Sequence, residues 1–319
     1  ARASTSLCGV VAVAFAASSF LAEGRPAARV VVHDGGAWLL AAYEGAVWHA
    51  DGATKQIDST GPLAVREDPS SGSLQLEEYS SLAVVHDPDT AEVTALDPAT
   101  RGKLGTQAVD PDAAVVVGAQ GAYALSGEDG TVRFAPVAPS GFAAFAPIGR
   151  PLGEGSTIIG GVDGLVWAYS PARGALVRFD GDGYRTFTGL PSGRGAQFTM
   201  LGDRAVFVGA AGIDVYDTST RSARHVVSDP ISDRAVVQQP GDRTDSLVVA
   251  EGSDLVRYDL DTGARSSAVP DLGDDQVAPL NVGGCAIGVS QAEQQLGGDC
   301  DDGKHQGGVH INGLRHGGR

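Results

Sequence analysis

The chain has 319 residues, of which 42% are hydrophobic, so it can bury the core of one large domain or of two ordinary ones. Its 45 Gly and 16 Pro favour many tight turns and an all-β fold over a helical bundle. The formal net charge of -16 argues against a nucleic-acid partner, because phosphate binding requires a concentrated Lys and Arg surface.

Residues 1–25 are predicted to form a signal anchor. Residues 7–22 (LCGVVAVAFAASSFLA) carry no charge, and Arg2 precedes them. An apolar run of this length is typical of a secretory signal or a short membrane anchor, and the preceding positive charge marks the cytoplasmic side. A buried helix or strand is the alternative. We therefore expect an exported protein that is held in the cytoplasmic membrane by one apolar helix, with the rest of the chain outside.

Residues 30–300 contain a repeat of about 42 residues, the length of one four-stranded blade of a β-propeller. Each period has a β-branched strand, a Gly-rich turn and a second strand, followed by an apolar strand that ends in a polar turn. No window after residue 22 keeps a helical period. The repeated strands that end in turns begin at Val47, Thr94, Val132, Leu176, Ile213 and Leu255.

The polar turns are predicted to be structural. In residues 217–221 (DTSTR) and 259–263 (DLDTG), the first Asp can accept hydrogen bonds from backbone N–H groups two residues on. Calcium binding at residues 180–183 or 301–304 is an alternative, although neither segment has the full set of oxygen ligands. The aspartates assigned to the repeated turn are Asp51, Asp97, Asp180, Asp217 and Asp259.

The period predicts seven blades, with six as the alternative. Six units are clear, and a seventh begins at residue 277. The strand that precedes the last turn is poor, so the seventh blade is expected to be atypical. The six clear units span about 30–62, 74–109, 113–140, 156–190, 197–229 and 234–270.

Two cysteines near the end of the repeat are predicted to form a disulfide. In an oxidising compartment, a bond between Cys285 and Cys300 would close about fifteen residues and contribute about 3 kcal/mol. Two free thiols are the alternative. Cys8 lies in the apolar segment and has no obvious partner.

Residues 301–319 read as a Gly- and His-rich tail or as a truncated last blade. His305, His310 and His316 are spaced for neither one helix face nor one strand face. We therefore do not predict a metal site there.

The sequence contains no motif for a catalytic, cofactor-binding or metal site. No Ser lies in a nucleophile elbow, and residues 118–127 lack the Lys and the helix of a phosphate-binding loop. Carboxylates that could serve a glycosidase are predicted to be solvated surface: Glu77, Glu78, Glu128 and Glu251. The three Trp residues are predicted to pack between blades: Trp38, Trp48 and Trp167.

The order of these features resembles one family. A short apolar anchor, residues 30–40 (VVVHDGGAWLL), blades such as residues 255–263 (LVRYDLDTG), and residues 278–289 (APLNVGGCAIGV) with a second Cys fifteen residues later resemble the amino-terminal region of large actinobacterial surface proteins. In that family a membrane segment and a β-propeller precede tandem immunoglobulin-like or fibronectin type III domains. Members of that family continue into a last strand pair and then the tandem domains, whereas the given sequence ends in a Gly/His/Arg tail.

Two functions follow as expectations. The first is a non-enzymatic extracytoplasmic propeller that binds a cell-envelope protein or a cell-wall glycan, without a cofactor. The second is a hydrolase or a quinone- or metal-dependent oxidoreductase with its site at the central channel. A propeller hosts either, so the fold alone does not choose between them.

Overall fold

The computed structural model of the chain consists of β-strands. It describes residues 36–41, 45–51, 56–57, 63–65, 74–80, 82–97, 100, 102–138, 140–190, 197–232, 234–269, 277–282, 285–290 and 295–300. Within these ranges there are 28 strands, no helix, and so no helix long and apolar enough to cross a membrane. The predicted anchor at residues 1–25 and the tail at residues 301–319 lie outside the described residues.

The chain divides into two compact units, and the first is Ala1–Ser192. Its described strands form four antiparallel sheets in which sequence neighbours pair, except that β4 pairs with β2 and β13 pairs with β11. The sheets are β1 (Gly36–Ala41), β2 (Ala46–Asp51), β3 (Gln56–Ile57) and β4 (Leu63–Ala64); β5 (Gln75–Tyr79), β6 (Leu82–Asp87), β7 (Glu92–Asp97) and β8 (Gly102–Ala108); β9 (Ala114–Gly118), β10 (Gly121–Leu125), β11 (Val132–Ala138), β12 (Gly141–Phe142) and β13 (Ala146–Ile148); and β14 (Thr157–Gly160), β15 (Val166–Ser170), β16 (Ala175–Asp180) and β17 (Gly183–Thr188).

The second unit is Gly193–Arg319, and its described strands form three antiparallel sheets. Each strand pairs with the next one in sequence. The sheets are β18 (Gln197–Leu201), β19 (Arg204–Gly209), β20 (Gly212–Asp217) and β21 (Ser222–Val227); β22 (Val236–Val237), β23 (Ser246–Glu251), β24 (Asp254–Asp259) and β25 (Arg265–Val269); and β26 (Val277–Val282), β27 (Cys285–Ser290) and β28 (Gln295–Cys300).

The predicted all-β fold is confirmed, and five of the seven described sheets have the four antiparallel strands that the repeat predicted. The sheets also follow the sequence period. Strands β5–β8 span residues 75–108 where the repeat predicted a unit at about 74–109. Strands β18–β21 span residues 197–227 where it predicted about 197–229.

In the sheets of β14–β17 and β18–β21, burial falls from the middle strands to the last strand. Every residue of β15 is buried, whereas β17 is exposed at every position except Phe187. In the second unit, β21 is exposed at its first four residues. Apolar residues therefore concentrate in the middle strands, and the polar last strand supplies the outer surface.

Apolar side chains of successive sheets pack together and form the core of each unit. In the first unit, Tyr123 and Phe134 pack with Val166 and Phe179 of the following sheet. In the second unit, the cluster around Val206 and Val215 includes Val249 and Val256 of the next sheet. Each fully buried side chain of this size contributes about 1.5–3 kcal/mol, so these contacts hold the sheets face to face.

The first strands of successive sheets lie side by side within each unit. Strand β9 contacts both β5 and β14, and β22 contacts both β18 and β26. Backbone hydrogen bonds also join neighbouring sheets near the ends of these strands: the N–H of Ala119 donates to the carbonyl of Gly164 at 2.8 Å, and that of Gly241 donates to the carbonyl of Met200, on β18, at 2.9 Å.

Candidate functional site

Two of the repeated-turn aspartates hold their turns through dense hydrogen bonding. Oδ1 of Asp217 accepts from the N–H groups of Ser219 and Thr220 at 2.9 and 2.8 Å, and Oδ1 of Asp259 accepts from those of Asp261 and Thr262 at 2.9 and 2.7 Å. Bonds from the Ser219 hydroxyl and the Thr220 N–H lower the pKa of Asp217 to about 2. A lowered pKa means that the charged form stabilises the fold at neutral pH, and that this contribution fades as the pH falls toward 2.

For the other three turn aspartates, the structure describes different surroundings. Oδ2 of Asp97 accepts from the Thr100 hydroxyl at 2.6 Å. Asp180 ends β16 and directly precedes a tight turn. Asp51 ends β2, and its side chain lies outside the described part of the structure.

A glutamine side chain joins two sheets of the second unit. Gln197 lies on β18, and its Nε2 donates to the carbonyl oxygen of Ala235. Its Oε1 accepts from the N–H of Val237 on β22 at 3.2 Å. Ala235 and Val237 are both buried, so the amide satisfies two backbone groups that water does not reach.

A carboxylate has a similar position in the first unit. Glu78 on β5 is only 4% exposed, and its Oε2 accepts from the N–H of Trp38 on β1 at 3.3 Å. The expectation that Glu78 is solvated surface was therefore wrong. Its place beneath the neighbouring sheet depends on contacts between distant periods, which the local sequence does not encode.

The remaining predicted carboxylates do not gather with Glu78. Glu128 is exposed in the turn between β10 and β11, and Glu77 is half-buried on β5. Glu251 accepts hydrogen bonds from the hydroxyl of Tyr258 and from Nη2 of Arg265, the latter at 3.1 Å. Among the residues that the structure describes, no three His, Cys, Asp or Glu side chains are grouped as metal ligands.

The three Trp residues fall on strands, two of them in the core. Trp38 and Trp167 are 2% and 3% exposed, and Trp48 is half-buried. The ring of Trp167 lies 5.8 Å from that of Phe187, and that of Trp38 lies 5.0 Å from His49. Trp38 packs with Leu76 and Val85 of the next sheet, as predicted, whereas the Phe187 ring that Trp167 contacts belongs to the same sheet as Trp167.

The predicted disulfide partners face each other in the backbone register. Strands β27 and β28 are antiparallel, and Cys285 is the direct partner of Cys300. Opposed residues of such a pair have Cα atoms about 4.5–5.5 Å apart, which lies within the range that a disulfide spans.

Charged residues join the sheets of the second unit at its surface. Nη1 of Arg243 donates to both carboxylate oxygens of Asp203 at 2.7 and 2.9 Å. Arg204 pairs with Asp245 at 2.6 Å, and Arg224 pairs with Asp261 at 2.8 Å. These partners are 37 to 41 residues apart, so each pair spans one period.

One aromatic side chain stands out on the surface of the first unit. Tyr184 on β17 is 53% exposed, the highest value among the large apolar side chains that the structure describes. Gly149 lies under its ring, where a Cβ would be 3.4 Å from Cε1. Next to it on the same strand, the guanidinium of Arg185 lies 5.2 Å from the centre of the Phe187 ring. Sequence reasoning missed this surface, because Tyr in a strand is usually a packing residue.

No family model and no curated protein matches the chain. Solved structures of similar fold include virginiamycin B lyase from Staphylococcus aureus, with a TM-score of 0.54 and 13% identity, covering 82% of this chain and 90% of the lyase. The RRP9 WD40 repeats have a TM-score of 0.52 and 11% identity, covering 84% and 88%. The dihydro-heme d1 dehydrogenase NirN has a TM-score of 0.56 and 10% identity, covering 84% and 61%. These likenesses support a β-propeller fold, and they include both enzymes and a WD40 repeat protein.

Proposed function

We propose that the chain is an extracytoplasmic β-propeller that binds a protein or a glycan of the cell envelope. In this proposal residues 7–22 hold it in the cytoplasmic membrane, as in the actinobacterial surface proteins that the sequence resembles. The binding surface includes the exposed side of β17, around Tyr184. The exposed aromatic ring is the observation that carries the proposal, because Tyr and Arg are enriched at the centres of binding interfaces.

The proposed propeller has seven blades. The described strands form four sheets in the first unit and three in the second, each beginning one period after the last. In this proposal, the three-stranded sheet of β26, β27 and β28 is the atypical seventh blade.

Several polar side chains are engaged in holding the fold, in contrast to the exposed ring of Tyr184. Gln197 and Glu78 satisfy backbone groups of neighbouring sheets, and Asp217 and Asp259 hold turns. Tyr184, in contrast, leaves much of its ring in water, although burial would stabilise it by about 1.5–3 kcal/mol. A partner that covers the exposed part of this ring would gain part of that free energy on binding.

Replacing Tyr184 with Ala is expected to weaken binding of the envelope partner about tenfold or more, the effect of losing an interfacial hot spot. The partner is first sought by incubating the folded protein with peptidoglycan, arabinogalactan and envelope proteins, and its affinity is then measured by titration. Ser266→Ala, on the exposed last strand β25 of another sheet and outside the proposed surface, is the matched control and should bind like the unmodified protein. Equal affinity of the Tyr184→Ala variant would contradict the proposed surface, and a folded protein that binds none of these candidates would contradict the proposed function.

We further propose that Cys285 and Cys300 are joined by a disulfide. When the protein is secreted into an oxidising compartment and alkylated without reduction, mass spectrometry should find no adduct on either cysteine. After reduction, both should be alkylated. Adducts on both cysteines before reduction would show two free thiols and would remove the bond.

A further inference from the structure

A hydrogen-bonded chain of Asp, His and Ser lies on one sheet of the second unit. Oδ1 of Asp214 is 2.9 Å from Nδ1 of His225, and Nε2 of His225 is 3.0 Å from Oγ of Ser228. A carboxylate only accepts, so Nδ1 of the neutral ring carries the proton and Nε2 accepts from the Ser228 hydroxyl. A nucleophile, a base and a group that orients the base thus follow one another at hydrogen-bond distance.

A β-bulge produces this arrangement. Strands β20 and β21 pair Ile213 with Val227 but Asp214 with His225, so Val226 is an extra residue on β21. The bulge brings His225 opposite Asp214, and Ser228 follows at the end of the strand. Bulges commonly redirect side chains next to functional sites.

The scaffold does not require these residue types. The next sheet has the same register shift between Leu255 and Val256, and there Val256 is paired with Ser267. An Asp and His pair is therefore not needed to form the bulge, and its presence in one sheet calls for another reason.

We propose that Ser228 is the nucleophile of an acyl-transfer site that hydrolyses carboxylic esters, with His225 as the base and Asp214 as the positioning residue. This goes beyond the binding function proposed above and does not depend on it. His225 is 46% exposed on its side chain, and Ser228 is exposed. An open site of this kind suits an ester carried on a large molecule or a small activated ester.

The steps balance with water as the only co-reactant. Oγ of Ser228 bonds to the acyl carbon while its proton moves to Nε2 of His225. The acyl–oxygen bond then breaks, and His225 gives this proton to the departing alcohol oxygen. Water attacks the acyl-serine as His225 takes its proton, the carboxylic acid leaves, and the proton returns to Oγ. Asp214 holds the ring in the required tautomer and stabilises its charged form.

The test treats the full chain with a fluorophosphonate probe and with p-nitrophenyl acetate. One equivalent of probe should attach, and mass spectrometry should find it on Ser228. Ser228→Ala should lose all labelling and the acyl-enzyme burst. His225→Gln should lower the rate about 100-fold, the lower range for a general base. Asp214→Asn should lower kcat with KM little changed, and Asp214→Glu should recover part of the rate.

Ser267→Ala is the control, because Ser267 is an exposed serine that takes the place of His225 in the next sheet. This variant should label and turn over like the unmodified protein. Circular dichroism of each variant checks that it is folded. If the folded, unmodified protein is not labelled, or if the probe attaches to another residue, the proposal is overturned. Ester hydrolysis that persists in Ser228→Ala without an acyl-enzyme would also overturn it, because the imidazole alone would then account for the rate.

Discussion

Replacing Gly212 with Ala is expected to destabilise the protein by about 4 kcal/mol, from backbone strain at positive φ together with overpacking. Gly212 begins β20 with a φ of 100°, and a Cβ there would lie 1.8 Å from the carbonyl oxygen of Val227. The neighbouring strand must therefore move to admit a methyl group. Urea unfolding followed by Trp fluorescence measures the change in the free energy of unfolding.

Gly252→Ala separates the two causes. Gly252 has a φ of 64°, but nothing lies within 4 Å of the position that its Cβ would take. This variant should lose only the conformational part, about 1–2 kcal/mol, the cost of placing a Cβ at a left-handed φ. If Gly212→Ala lowers the free energy of unfolding no more than Gly252→Ala does, then the close approach of Val227 does not contribute to the loss of stability.

Gln197→Leu is expected to cost about 3 kcal/mol. Leucine keeps most of the volume but leaves the N–H of Val237 and the carbonyl of Ala235 without the amide, and each unsatisfied buried group costs about 1–3 kcal/mol. Gln197→Glu should cost at least as much as Gln197→Leu, because one carboxylate oxygen still accepts from Val237 while the other, charged, faces the carbonyl oxygen of Ala235. Unfolding in urea again gives the free energy.

Gln239→Leu is the matched control, because Gln239 belongs to the same unit and is exposed. Surface substitutions of this type usually change stability by less than about 0.5 kcal/mol. A loss of stability at Gln239 equal to that at Gln197 would point to a general effect of the added apolar surface, and not to the broken bridge between sheets.

The sequence predicted those parts of the fold that depend on neighbouring residues. Turns such as Asp217–Thr220 and Asp259–Gly263 are closed by bonds over two to four residues, so their composition reveals them. Strand type and period follow from the same local pattern. The place of the sheets could therefore be derived without the structure.

The candidate sites could not be predicted, because they depend on contacts between residues that are distant in the sequence. Gln197 reaches residues 38 and 40 positions away, and Glu78 is buried under a sheet formed 40 residues earlier. His225 is paired with Asp214 because the bulge at Val226 changes the strand register, and no turn residue in the sequence indicates this bulge. Tyr184 is exposed because its strand is the last of its sheet. Pairing between periods, register and strand order were needed to find them.

The ties between successive sheets have a consequence for how the second unit comes apart. Gln197, Arg204 and Arg224 each bond to a partner about one period further along the chain. The opening of one sheet therefore breaks hydrogen bonds and ion pairs of the next sheet. Loss of structure then spreads from neighbour to neighbour, as in a linear array of repeats. The described sheets of the unit are therefore expected to open together, so that a state with one sheet detached is sparsely populated.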